Sequence, residues 1–256
     1  MIITLQQVAV FFLILARLTG MITLAPIFSR KTVFGMAKVS ILFWLTFSIL
    51  FIVPLPTEFP TNLITYTFAI FSEMFLGFII GFIADLVVTG VEFAGTLMDT
   101  QAGLSVASLL DPATGRQTTL IESILNWVVI IIFLIIDGHH LVLSATVESF
   151  NILPVGNPFD FNKSTQFLLD IGATIFKIGL KLSVPILLIV FIIDFTLGLL
   201  NKVAEQINVF QLGFQVKPPI SLFIFLGTVA SLNTHIIDIL EDTTEQILLF
   251  FRLVVL

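Results

Sequence analysis

Cysteine is absent from the 256 residues, which excludes disulfide frameworks and thiolate metal sites and leaves the redox compartment unread. Charge is scarce as well: 11% of residues are Asp, Glu, Lys or Arg, against about 25% in a soluble domain. With 57% of residues hydrophobic, a fold of this length cannot hide its apolar surface, so its surroundings are largely hydrocarbon or other protein. The net charge of −6 is dispersed, and no basic run offers a footprint for nucleic acid. One Tyr and two Trp leave little for interfacial aromatic belts, although Phe is abundant at 28.

Catalytic signatures are missing too. There is no HExxH, nucleophile elbow or phosphate-binding glycine loop, and no Ser-His or paired-Asp arrangement for intramembrane proteolysis. The sequence therefore reads as that of a non-enzyme without cofactor. Asp137-Gly138-His139-His140 is the most metal-like run. Adjacent histidines on a regular helix or strand diverge, and no further ligand follows at helical spacing, so the run reads as a polar turn.

What is present is a series of apolar runs near residues 5–28, 39–55, 63–90, 120–136, 167–200 and 219–251. About 20 apolar residues cross a bilayer, so the runs suggest up to six spans within one domain or two small ones. Residues 1–16 lack Lys and Arg, which makes 5–28 a retained first helix and not a signal peptide. Prolines mark the divisions: Pro54, Pro56 and Pro60, then Pro154 and Pro158, then Pro218-Pro219. With the N-terminus outside, Arg30, Lys31, Lys38, Arg116, Lys202 and Lys217 fall on inner loops and Lys163 alone on an outer one.

Arg17, Glu73, Asp85, Lys177, Lys181 and Asp194 sit inside apolar stretches. Facing lipid, six such groups would cost on the order of 15–20 kcal/mol, more than the whole stability of a typical fold. They must face protein, a watery cavity or the interface. Lys177 and Lys181 are long enough to snorkel; Glu73 and Asp85 are not, and read as parts of a buried polar interface. Glu73, Gly77, Gly81 and Asp85 recur every four residues, with Gly77 and Gly81 forming a GxxxG. The spacing returns at Gly95, Asp99, Gly103, Ala107 and Asp111. These stripes read as contact faces in a helical assembly, with packing inside the chain as the alternative.

Several local patterns together resemble the flagellar biosynthetic protein FliR family. They are Arg17-Leu18-Thr19-Gly20 with Ala25-Pro26-Ile27-Phe28, then Glu73-x3-Gly77-x3-Gly81, and then Gly95-x3-Asp99-x-Gln101-x-Gly103-Leu104-Ser105 leading to Asp111-Pro112. Asp137-Gly138-His139-His140 and Asn208-Val209-Phe210-x2-Gly213-Phe214-x2-Lys217 complete the series, in order along the whole chain. Glu205-Gln206 and Gln215 depart from the Pro-Gln and Phe-Pro that the family usually carries at these places.

The resemblance implies an all-α, membrane-associated protein of kinked helical hairpins. A FliP-like part over about 1–166 would be fused to a FliQ-like hairpin over 167–256, making a single export-gate domain. It implies a non-enzymatic subunit of the flagellar type III export gate, in the bacterial inner membrane at the flagellar basal body. The implied partners are FliP-like and FliQ-like gate subunits, an FlhB-like subunit, membrane lipid and unfolded flagellar export substrates. Glu73, Gly77, Gly81, Asp85, Gly95, Asp99 and Gln101 would contact other subunits. The channel plug would lie in 103–119, with Gly103, Leu104, Ser105, Val106, Ala107, Leu109 and Leu110 as its small apolar part. Asp111, Pro112, Gly115 and Arg116 would form its turn, Arg116 either pinned to a carboxylate or solvated. Without the resemblance, 103–119 reads as a plain connector between two helices. The other function in view is a secondary transporter coupling through Glu73, Asp85, Asp194 and Lys177.

Overall fold

A computed structural model describes residues 5–30, 34–53, 62–105, 119–157, 161–204 and 206–255. Its regular elements are α1 (Leu5–Leu24), α2 (Gly35–Leu50), α3 (Leu63–Ala102), α4 (Leu120–Ile135), α5 (Gly138–Ile152), α6 (Phe161–Val203) and α7 (Val209–Val255). Among the described residues there is no strand, and the protein is the all-α membrane protein expected. Helices follow from the composition, because only a helix satisfies every backbone polar group within one apolar segment. Hydroxyls are hidden the same way: Thr46, Thr100 and Thr146 each donate to the carbonyl four residues back, at 2.7 Å.

The six-span expectation is corrected. Among the described residues four helices are long and apolar enough to cross a membrane, and a fifth crossing requires α4 and α5, bent by 63° at their junction, to act as one. α2, at 16 residues, is about 24 Å long, short of a bilayer's hydrocarbon thickness of about 30 Å. Conversely, α3, α6 and α7 run for 40, 43 and 47 residues, each about twice the length a span needs. The proline punctuation is corrected as well, since Pro218 and Pro219 lie inside α7 and Pro185 inside α6. The helix continues through the pair, leaving the carbonyls of Phe214 and Gln215 without their N–H partners.

The chain forms two compact units. The first comprises Met1–Leu86, Phe133–Gly172 and Ile239–Leu256; the second comprises Val87–Ile132 and Ala173–Asp238. Both draw on the two sides of residue 166. The core of the first unit contains Leu13, Leu18, Met21, Leu76, Ile80, Phe150 and Phe250. That of the second contains Val91, Met98, Val129, Leu182, Ile186, Phe225 and Leu232.

Candidate functional site

In the first unit the site is built around Arg17, which is fully buried, and Glu73, which is 1% exposed. Arg17 Nε donates to Glu73 Oε2 at 2.6 Å, Nη1 to Ser149 Oγ at 3.0 Å, and Nη2 to the Leu153 carbonyl at 3.2 Å. The second Glu73 oxygen accepts the Gly156 backbone N–H at 2.8 Å. The Phe150 ring lies 4.2 Å from the guanidinium carbon, within cation–π range. One charge pair thus joins α1, α3, α5 and the turn after α5, with both charges hydrogen-bonded as a buried pair requires.

The glycine stripe serves the same junction. A Cβ on Gly77 would run into the Arg17 carbonyl oxygen, and one on Gly20 into that of Met74. At Gly81 it would stand 2.7 Å from the Met21 oxygen and 3.1 Å from the Ala25 nitrogen. The GxxxG does admit a close helix, and that helix is α1 of the same chain. Beyond the end of α1 at Leu24, Phe28 N–H bonds the Pro26 carbonyl at 2.8 Å around Ile27, held at φ 70°. A β-branched residue at positive φ is a strained conformation that only a well-determined turn retains.

In the second unit the organising residue is Asp99, which is fully buried. Its backbone carbonyl accepts Leu104 N–H at 2.9 Å, while Gly103 N–H bonds Thr100 O at 3.2 Å and Gly103 takes φ +79°. This is a Schellman ending for α3, and it explains the glycine at 103. The Asp99 carboxylate accepts Ile121 N–H at 3.1 Å, Glu122 N–H at 2.8 Å and the Thr119 hydroxyl. One side chain therefore caps the start of α4 while its own backbone closes α3. Gly95 completes the contact, because a Cβ there would collide with Glu122 Cα. Thr119-x-x-Glu122 has the spacing of a capping box, a second sequence signal for this junction beside the Gly95, Asp99 and Gly103 stripe.

Beside it lies an open cavity of about 460 Å³ bounded by Gln101, Gly103, Asp194, Leu197, Phe214 and Lys217. Lys217 Nζ pairs with Asp194 Oδ1 at 2.5 Å at its wall. Lys177 and Lys181 are exposed, Asp85 is half-buried, and Gln101 is exposed. The stripe residues Glu73, Gly77, Gly81, Gly95 and Asp99 all make contacts inside the chain, the alternative that the sequence left open for them. Of the plug residues, Gly103, Leu104 and Ser105 are half-buried. Val106, Ala107, Leu109, Leu110, Asp111, Pro112, Gly115 and Arg116 lie outside the described residues. Sequence reasoning missed Ser149, Leu153 and Gly156, whose contributions are a hydroxyl and two backbone groups with no sequence signature.

A family profile described as "Bacterial export proteins, family 1" matches residues 8–243. The chain belongs to that family. Flagellar biosynthetic protein FliR of Escherichia coli K12 is 27% identical over 237 residues, covering 93% of this chain and 89% of that protein. The Bacillus subtilis 168 FliR is 25% identical over 238 residues, 92% of each chain. The secretion system apparatus protein SsaT of Salmonella typhimurium is 31% identical over 158 residues, 60% of each. The likeness to FliR read from the motifs therefore holds over nearly the whole chain, and the protein is a membrane component of a bacterial export apparatus.

Proposed function

We propose that this chain is a structural and gating subunit of the flagellar type III export gate, in the inner membrane at the flagellar basal body. It contributes part of the channel wall and its closure, works with FliP-like, FliQ-like and FlhB-like subunits, and passes unfolded flagellar proteins. The observation that carries the reading is the apolar exposure of helices too long for lipid alone. Exposed Leu169, Phe176, Leu180, Leu188, Phe191, Phe195 and Val203 run along α6, a stretch of about 50 Å of helix. A bilayer's hydrocarbon covers about 30 Å, so the remainder calls for apolar protein surfaces. Consistent with this, only 22% of the most apolar window of α6, and likewise of α7, is buried, against 67% in α3.

Residues 103–119 are the closure in this reading. The Asp99 junction supports it by tying the end of α3 to the start of α4, a firm frame on either side of the segment. A transporter fits less well, since Glu73 and Asp194, two of the carboxylates it would use, are each held by a cation. The test is co-expression with neighbouring genes and mass measurement of the complex that co-purifies. Hetero-oligomers with FliP-like and FliQ-like chains are expected; a monodisperse, folded monomer in mild detergent argues against the proposal.

A further inference from the structure

We propose that Asp137, His139 and His140 form a binding site for a divalent transition-metal ion of the zinc class at the corner between α4 and α5. The sequence expectation that the two histidines diverge is overturned: their ring centroids lie 4.1 Å apart with a tilt of 38°. One ligand atom from each of the three residues lies within 4.8 Å of the other two. His140 Nδ1 stands 3.5 Å from Asp137 Oδ1, near the separation of two ligands on one tetrahedral ion, about 3.5 Å for bonds of about 2.0–2.2 Å. Closing the third ligand needs only side-chain rotation, because Asp137 and His140 are exposed.

Two independent observations point the same way. Asp137 is the N-cap residue of α5, yet it sits in the left-handed region at φ 55°, and its carboxylate makes no cap hydrogen bond. An N-cap Asp ordinarily adopts extended backbone and spends its carboxylate on the first-turn N–H groups. Here the carboxylate is turned to the imidazole side. Secondly, His139 Nδ1 is buried and has no hydrogen-bond partner among the described residues. An orphaned buried imidazole nitrogen is costly unless something coordinates it. Gly138 lets the turn form, since a Cβ there would stand 2.5 Å from the Phe133 ring.

The donor set selects the ion. Two imidazoles and one carboxylate suit zinc, cobalt or nickel and not the all-oxygen shells of calcium or magnesium. Three protein ligands leave a fourth position for water or a donor from another subunit. The bound ion clips the left-handed turn to the first turn of α5 and so stiffens the corner.

The experiment uses the full chain in its co-expressed complex, purified in detergent through a tag without histidines on this chain, with Zn²⁺ in equilibrium dialysis and Co²⁺ as a spectroscopic stand-in. About one Zn²⁺ per chain is expected, with visible Co²⁺ ligand-field bands that Zn²⁺ removes. His139→Asn, His140→Asn and Asp137→Asn should each lower Zn²⁺ occupancy at least about tenfold at fixed free metal. Asp137→Asn keeps a residue that tolerates the left-handed backbone, and circular dichroism verifies that helix content is unchanged in all three. Undiminished binding in His139→Asn would reduce the site to surface Asp137 and His140 and overturn the proposal. So would absence of stoichiometric Zn²⁺ in the parent chain.

Discussion

The Asp99 carboxylate accepts the backbone N–H of Glu122 at 2.8 Å, across the two roots of the segment that follows α3. The same residue closes α3 through its carbonyl to Leu104, so one position joins the end of α3 to the start of α4. Asp99→Ala removes a helix cap and strands buried N–H donors, an expected loss of about 2–3 kcal/mol. Thermal unfolding followed by circular dichroism should show a lower midpoint. Proteolysis between 106 and 118 should accelerate, while Thr119→Ala has a smaller effect. An unshifted midpoint in Asp99→Ala would contradict the clamp.

The α1–α3 junction makes a contrast among glycines. Even Gly77→Ala should destabilise the chain, and Gly77→Leu should prevent its accumulation in the membrane, because the added atoms meet the Arg17 backbone. Among the described residues no atom lies within 4 Å of a Cβ built on Gly172 or Gly227, so alanine at either should leave the chain's own packing unchanged. Equal expression levels of all four variants, measured by immunoblot of membranes, would show that the GxxxG does not set the crossing.

Breaking the Arg17–Glu73 pair should be costly and non-additive. Arg17→Leu or Glu73→Leu alone leaves a buried charge uncompensated, an expected loss of about 3–5 kcal/mol. The double variant should lose clearly less than the sum, since the two penalties are for stranding a partner. A denaturant-unfolding double-mutant cycle reads this directly. Strict additivity would mean that the ions act separately.

The closure reading has its own consequence. Deleting residues 106–115 should leave the complex assembled, because the Asp99, Leu104 and Glu122 contacts survive, yet make it leaky. Ion conductance across bilayers holding the purified complex measures this. A deletion complex that assembles and stays as tight as the parent refutes the assignment of 103–119 as the plug.

The helical class and membrane setting were legible in the sequence, because long apolar runs with little charge have few other ways to satisfy their backbones. So was the family, carried by motifs such as Arg17-Leu18-Thr19-Gly20 and Gly95-x3-Asp99 spread along the chain. The need for partners at the intramembrane charges also followed from sequence, as an unpaired carboxylate is too expensive in hydrocarbon. Who those partners are did not. Arg17 and Glu73 are far apart in the chain, and their companions Ser149, Leu153 and Gly156 contribute groups that many residues carry. Only the packing of α1 and α5 on α3 could bring them together. The stripes looked the same whether they faced another subunit or α1 and α4, since spacing records that a close approach occurs and not which helix makes it. The two histidine rings approach although both belong to the first turn of α5, because side-chain rotation as well as backbone direction sets where a ring lies. Sequence determined which groups had to be paired or closely packed; tertiary structure chose the mates, because burial and hydrogen bonding depend on positions in space that a linear pattern does not encode.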